Sequence, residues 1–181
     1  MLIRIAGTVS ESIVDGPGIR YTIFTQGCPH HCEGCHNPET HDFGGGRLAD
    51  TDKIYDHIAE NPLLKGVTFS GGEPLAQKEF LSECIDKCKE KNINCAVETS
   101  LIYYDEKIFK KLDFVMADLK IWNSDLHKEY TGVGNESITE NFKRLNTLGI
   151  PIIARTPVIP DGFSVPSKEY MKELEKYAYI R

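Results

Sequence analysis

The chain has 181 residues, 40% hydrophobic and 27% charged, which is enough for one hydrophobic core and too little for two. Its formal charge of −6 argues against the basic face of a nucleic-acid-binding protein. No stretch nears the ~20 apolar residues of a membrane span, and Met1-Leu2-Ile3-Arg4-Ile5 lacks a secretory apolar run; a single cytoplasmic domain over 1–181 is expected, with neither nucleic acid nor membrane as partner.

Tyr21-Thr22-Ile23-Phe24-Thr25, β-branched and aromatic, is the first predicted strand, followed by a Gly-, Pro-, His- and Asn-rich loop from Gly27 to Gly46. A helix is predicted over Asp50 to Glu60, with Ile54 and Ile58 on its apolar face. Gly66-Val67-Thr68-Phe69-Ser70 is a second strand, closed by Gly71-Gly72, after which Phe80, Leu81, Cys84, Ile85 and Cys88 recur at helical spacing. Asn94 to Glu98 is a third strand, Glu106 to Leu112 a short helix and Phe114 to Leu119 a fourth strand. Ile138 to Leu148 is a helix stopped by Gly149, Ile150 to Ala154 a fifth strand, and Ser167 to Tyr177 a last helix. Strands alternating with helices imply a parallel sheet with right-handed crossovers. The apolar strands suggest a sheet covered on both sides, either an open doubly wound sheet or a partial barrel.

Six cysteines in a reducing compartment are not a disulfide framework. Cys84, Cys88 and Cys95 fall at core positions of a helix and a strand. Cys28, Cys32 and Cys35 lie within eight residues of loop and need a chemical reason. Three thiolates on a tight loop suit a [4Fe–4S] cluster with one iron left for an outside ligand. Zinc is the alternative, with a histidine completing a tetrahedron. His30, His31, His41 and His57 read as surface residues. The ends of the other four predicted strands carry the remaining unusual groups: Gly71-Gly72-Glu73-Pro74, Glu98-Thr99, Asp118 with Lys120, and Arg155. In parallel α/β folds such ends share one face, where active sites form.

Cys28-x3-Cys32-x2-Cys35 with Gly71-Gly72-Glu73-Pro74 resembles the radical S-adenosylmethionine (SAM) superfamily. Asp15-Gly16-Pro17-Gly18-Ile19-Arg20, Gln26-Gly27-Cys28-Pro29, Cys35 to Thr40 and Tyr130-Thr131-Gly132-Val133 narrow this to enzymes that activate glycyl radical enzymes. Gly34 and the run from Cys35 to Phe43 look more like the anaerobic ribonucleotide reductase activating branch. Met116 to Lys120 and Arg155 to Pro160 look more like the pyruvate formate-lyase activases. The target is therefore left open, between a pyruvate formate-lyase type enzyme and an anaerobic reductase.

The resemblance implies a partial (β/α) TIM-like barrel of parallel strands. It also implies a cluster that cleaves SAM, and a 5′-deoxyadenosyl radical that takes hydrogen from a glycine of the partner enzyme. Cys28, Cys32 and Cys35 would be the metal ligands. Gly34, His36, Gly71, Gly72, Glu73, Glu98, Thr99 and Asp118 would surround the cofactors, with Glu73 anchoring the glycine turn. A monovalent cation is expected near Glu98, Thr99, Met116 and Asp118. Asp15 would contact the target glycine loop; Lys120 and Arg155 would neutralise the methionyl carboxylate or grip substrate backbone. A flavodoxin or ferredoxin type donor would supply the electron. Longer members continue into a sixth strand; here Tyr177 to Arg181 is either the start of one or a frayed end, and in the second case five strands with an open edge are expected. A radical SAM enzyme acting on a small molecule, or a truncated non-catalytic metal-binding remnant, are the other readings.

Overall fold

The computed structural model describes residues 2–157, with Lys168 and Lys172. Strand β1 (Leu2–Ser12) runs antiparallel to β2 (Arg20–Thr25), and the short β3 (Arg47–Asp50) pairs antiparallel with the start of β1. From β2 onward every pairing is parallel, through β4 (Gly66–Gly71), β5 (Cys95–Thr99), β6 (Phe114–Asp118) and β7 (Ile152–Arg155). The order across the sheet is β3-β1-β2-β4-β5-β6-β7. Parallel neighbours need long crossovers. These contain α1 (Thr51–Glu60), α2 (Lys78–Glu90), α3 (Glu106–Phe109), and the pair α4 (Ser124–Thr131) and α5 (Glu136–Asn146).

All five expected strands are present, and the expectation of an exclusively parallel sheet is corrected by β1 and β3. Only Ile3, Ile5 and Ser12 of β1 are buried, and a register shift between Ile5 and Gly7 breaks its alternation. Helix α4 was missed for a related reason: its buried residues are His127 and Thr131, so it shows no apolar stripe. It is instead defined by its ends, where Asn123 caps Leu126 N–H and Gly132 turns left-handed at φ +86°. Asp50 and Asp105 likewise cap α1 and α3. The helix expected over Ser167 to Tyr177, apart from Lys168 and Lys172, and the segment Tyr177 to Arg181 lie outside the described residues.

Strand side chains alternate between two faces. Tyr21, Ile23, Val67, Phe69, Cys95, Val97, Val115, Ala117 and Ile152 join helix residues such as Ile54, Leu81, Ile85, Phe109, Phe142 and Leu145 in one core. The opposite, inner face carries only the small cluster Ala96, Phe114 and Met116. At the same alternation it carries Thr22, Thr68, Glu98, Asp118 and Arg155. Among the described residues the sheet does not close on itself, and β3 and β7 are its edges. This is a partial barrel: among the described residues the helices lie against one face, while β4, β5 and β6 are buried on both, as their apolar sequences lead one to expect. No helix among the described residues is long and apolar enough to cross a membrane.

Cys84, Cys88 and Cys95 are free thiols with no exposure in the core between α2 and β5, and Cys95 Sγ donates to Ile93 O (3.4 Å). Cys88→Ala is expected to leave iron content unchanged and to lower unfolding free energy by about 1 kcal/mol, the scale of one lost buried group. Iron assay and anaerobic urea unfolding check this.

Candidate functional site

Past the end of β2 the chain enters the cysteine loop under tight control. Gly27 N–H donates to Thr40 O (2.8 Å) and Cys28 N–H to His41 O (3.2 Å). The Gln26 amide donates to Glu39 O and Asp42 O, and Gln77 donates to Gln26 O. On the far side His31 N–H bonds Thr131 O (2.9 Å) and Glu33 N–H bonds Tyr130 O (3.0 Å). The Tyr130-Thr131-Gly132 segment at the end of α4 is thus the shelf on which the loop rests. Cys28, Cys32 and Cys35 are half-buried free thiols. Asn37 N–H donates to Cys35 Sγ (3.4 Å), the kind of contact that tunes a sulfur ligand. Gly34, at φ +74°, and His36 are exposed at the rim. Burial pushes the Cys28 thiol up to about 11 and the Cys32 thiol upward as well, so both are protonated at neutral pH until a metal displaces the proton. Among the described residues no three His, Cys, Asp or Glu side chains close on one point as ligands of a single ion would. Three soft thiols on one half-buried loop are the ligand type that iron–sulfur clusters take.

The Gly71-Gly72-Glu73 turn sits directly against this loop. Gly72 N–H donates to Thr25 O and Glu73 N–H to Gly27 O, both at 2.9 Å. A Cβ on Gly72 would lie 2.4 Å from Gly27 O, and one on Gly71 2.7 Å from Thr25 N. The glycines are therefore required by their seat on β2 and the cysteine loop. With both amides consumed, carbonyls are what this turn can offer an ammonium. Glu73 points inward: its carboxylate accepts from Thr99 Oγ1 (2.7 Å), Ser100 Oγ (2.7 Å), Ser100 N–H (3.0 Å) and Leu75 N–H (3.2 Å). Burial raises its pKa while those bonds oppose the rise. Thr99 thus faces Glu73 on the helix-covered side, and only its backbone can serve the inner face.

Glu98, Asp118, Lys120 and Arg155 meet on the inner face. Arg155 Nη2 bridges Glu98 Oε1 and Asp118 Oδ1 (2.9 Å), its Nε also reaches Asp118 (3.0 Å), and Lys120 Nζ takes Asp118 Oδ2 (3.1 Å). Burial, the largest single effect, pulls both cations' pKa values down, but the surrounding negative charge, Asp118 first in each case, outweighs it in sum, so both values rise. Glu98 Oε2 is buried without a partner among the described residues, an acceptor left for a cation or donor. Asp15 reaches the same face from the opposite end of the strands. Its carboxylate accepts from Thr22 Oγ1 (2.9 Å) and its carbonyl from Thr68 Oγ1 (2.7 Å). Buried Arg20 donates to Thr68 Oγ1 (2.6 Å) and lies 4.9 Å over the Phe114 ring. A Cβ on Gly16 would meet both Arg20 (2.9 Å) and Phe114 (3.0 Å). The Asp15 turn is thereby clamped under the sheet.

Sequence reasoning missed Thr22, Thr68, Arg20 and Ser100; Thr68 bonds Asp15 and Arg20, and Ser100 bonds Glu73 and His30, all many residues away. It also misplaced His30, which is 2% exposed and hydrogen-bonded to Ser100 Oγ at 2.8 Å.

Comparison with known proteins agrees with this geometry. Residues 14–122 match the family model described as "4Fe-4S single cluster domain". The fold superposes on SuiB of Streptococcus suis bound to S-adenosylmethionine with a TM-score of 0.64, at 17% identity, over 83% of this chain and 35% of that one. The fold and the cysteine loop define a radical SAM core. The "Pyruvate formate-lyase-activating enzyme" of Clostridium pasteurianum is 35% identical over 94% of this chain and 74% of its own. The "4-hydroxyphenylacetate decarboxylase activating enzyme" of Clostridioides difficile is 33% identical over 86% of this chain and 71% of its own. That alignment runs over 226 positions against a 181-residue chain, so the relative carries inserted residues that this chain lacks. The chain belongs to the radical SAM activating enzymes of glycyl radical enzymes, the family of the pyruvate formate-lyase activases.

Two expectations follow. Gly72→Ala is expected to displace the turn from Gly27 and to cut retained iron severalfold, read by iron assay after anaerobic reconstitution. In the metal-free protein, alkylation of Cys28 by iodoacetamide should keep rising about tenfold per pH unit from pH 7 to 10, because thiolate is the reactive form and accumulates only near pH 11. A plateau near pH 9, where an ordinary thiol saturates, would contradict the burial effect; peptide mass spectrometry distinguishes the two.

Proposed function

We propose that this chain, working in the cytoplasm as one domain over 1–181, activates a glycyl radical enzyme of the pyruvate formate-lyase type. The observation that carries the reading is the direct seating of the Gly71-Gly72-Glu73 turn on the cysteine loop, at the mouth of an inner face lined by Glu98, Asp118, Lys120, Arg155 and Asp15. Cys28, Cys32 and Cys35 hold a [4Fe–4S] cluster. When bound, the cluster supplies an electron and SAM the adenosyl group through which hydrogen is taken from the partner's glycine.

The rest is positioning and charge. Carbonyls of Gly71 and Gly72 receive the SAM ammonium, while Gly34 and His36 border the seat. Arg155 and Lys120 present positive charge to the carboxylate of SAM, held in place by Asp118 and Glu98. Glu98 Oε2, Asp118 and the backbone of Thr99 and Met116 offer hard oxygens to a monovalent cation. Asp15, fixed by Thr22 and Thr68, meets the backbone of the entering glycine loop. A flavodoxin or ferredoxin type protein delivers the electron at the exposed rim of the cysteine loop.

The test is anaerobic reconstitution with iron and sulfide, then reduction and addition of SAM and a pyruvate formate-lyase. Expected are 5′-deoxyadenosine and a glycyl radical EPR signal, both absent in Cys32→Ala. Asp118→Asn, which leaves two cations short of a counter-charge, should keep its iron and weaken SAM binding roughly tenfold. Deoxyadenosine formed without a glycyl radical on any such partner would move the reading to a small-molecule substrate.

A further inference from the structure

His30 lies between two of the cluster cysteines, yet its ring is buried and turned away from solvent toward the end of β5. Ser100 Oγ has one hydrogen, and Glu73 Oε2 is its acceptor at 2.7 Å. Glu73 takes four donors in all, which suits a carboxylate. Ser100 Oγ can then only accept from His30, so Nε2 carries the ring proton. His30 Nδ1 is left as a bare acceptor, buried and without a partner among the described residues. A ring kept for packing alone leaves no reason to bury that acceptor; the bond to Ser100 is what the imidazole contributes.

The backbone beside Ser100 is arranged to the same end. Leu101 is fully buried and adopts φ +61°, a conformation rare for a residue with a side chain. It is pinned by Thr99 Oγ1, which accepts its N–H (3.0 Å), and by Asn141, which donates to its carbonyl (2.9 Å). This turn delivers both the amide and the hydroxyl of Ser100 to Glu73. The continuous chain His30–Ser100–Glu73–Thr99 therefore joins the cysteine loop, the glycine turn and the end of β5 through buried side chains.

We infer that His30 is a positioning residue, which through Ser100 and Glu73 fixes the Cys28–Cys32 arm against the Gly71-Gly72 turn and so sets the spacing between cluster and SAM. This rests on the reading of those two segments as cofactor seats. The link is additional to the backbone bond from Glu73 to Gly27, which holds only the start of the loop.

Two measurements test it. In protein carrying 15N-histidine, the ring nitrogens of His30 should report a proton on Nε2 and a bare Nδ1, and Ser100→Ala should shift the Nε2 resonance. After reconstitution, His30→Leu should keep the iron content of the unaltered protein but require about tenfold more SAM to change the EPR signal of the reduced cluster. His30→Gln, whose amide nitrogen can stand where Nε2 does, should return to within about threefold. A proton on Nδ1, or a His30→Leu titration coinciding with that of the unaltered protein, overturns the inference. If His30→Leu does not fold or hold iron, Ser100→Ala decides in its place, since it keeps the ring and removes the link; an unaltered SAM midpoint there also overturns it. If the unaltered protein shows no SAM response, the proposed function fails, and the ring-nitrogen spectrum still judges the brace.

Discussion

The arrangement of the site depends on one close packing: the Gly71-Gly72-Glu73 turn pressed onto the backbone between Thr25 and Gly27. The parallel ladder between β2 and β4 runs from Arg20 opposite Gly66 to Thr25 opposite Gly71. Beyond it, two further amide-to-carbonyl bonds continue the contact into the loops. No side chain fits in that seam, because a Cβ at either glycine would overlap backbone. Two loops that would otherwise be positioned only by their own strands are thereby brought into one rigid corner. The cysteines and the glycine turn keep a fixed relation because the sheet itself holds them.

Around that corner, buried charge is handled in two ways. Glu73 is anchored by four hydrogen bonds from neutral donors and serves architecture. Glu98, Asp118, Lys120 and Arg155 instead balance one another on the inner face, two negative against two positive. Partly buried ion pairs repay little of their desolvation cost, so they are weak evidence of a stabilising role. Their value here is a polar surface whose charges are held in place by fixed strand ends, with one carboxylate oxygen still unpaired. Preorganised charge of this kind binds an ionic ligand without having to rearrange. The opposite end of the inner face is closed differently, by Arg20 stacked over Phe114 with Gly16 between them.

The sheet also explains why the chain reads as it does. Five parallel strands have their apolar side chains against helices, and short β-branched runs announced them. Strand β1 contributes few buried residues and β3 is short, so neither carries a usable pattern. Helix α4 buries polar residues and is fixed by an Asn cap and a left-handed Gly132. Its C-terminal turn matters more than its face, because Tyr130 and Thr131 carbonyls hold the cysteine loop from below.

What the sequence determined by itself was chemistry of short reach. Three thiols within eight residues, a double glycine before an acid, and carboxylates with cations at strand ends are legible through spacing and residue type alone. Tertiary structure decided everything that depends on partners far along the chain. It turned Glu73 inward to Thr99 and Ser100, and it gave the two glycines a packing reason where close approach to a ligand had been expected. It buried His30, which reads as a surface residue in a polar loop, against a serine 70 positions away. It also hung the Asp15 turn on Thr68, 53 residues distant. Local sequence carries backbone preference and donor type, whereas the direction in which a polar side chain points is set by which surface the fold brings up against it.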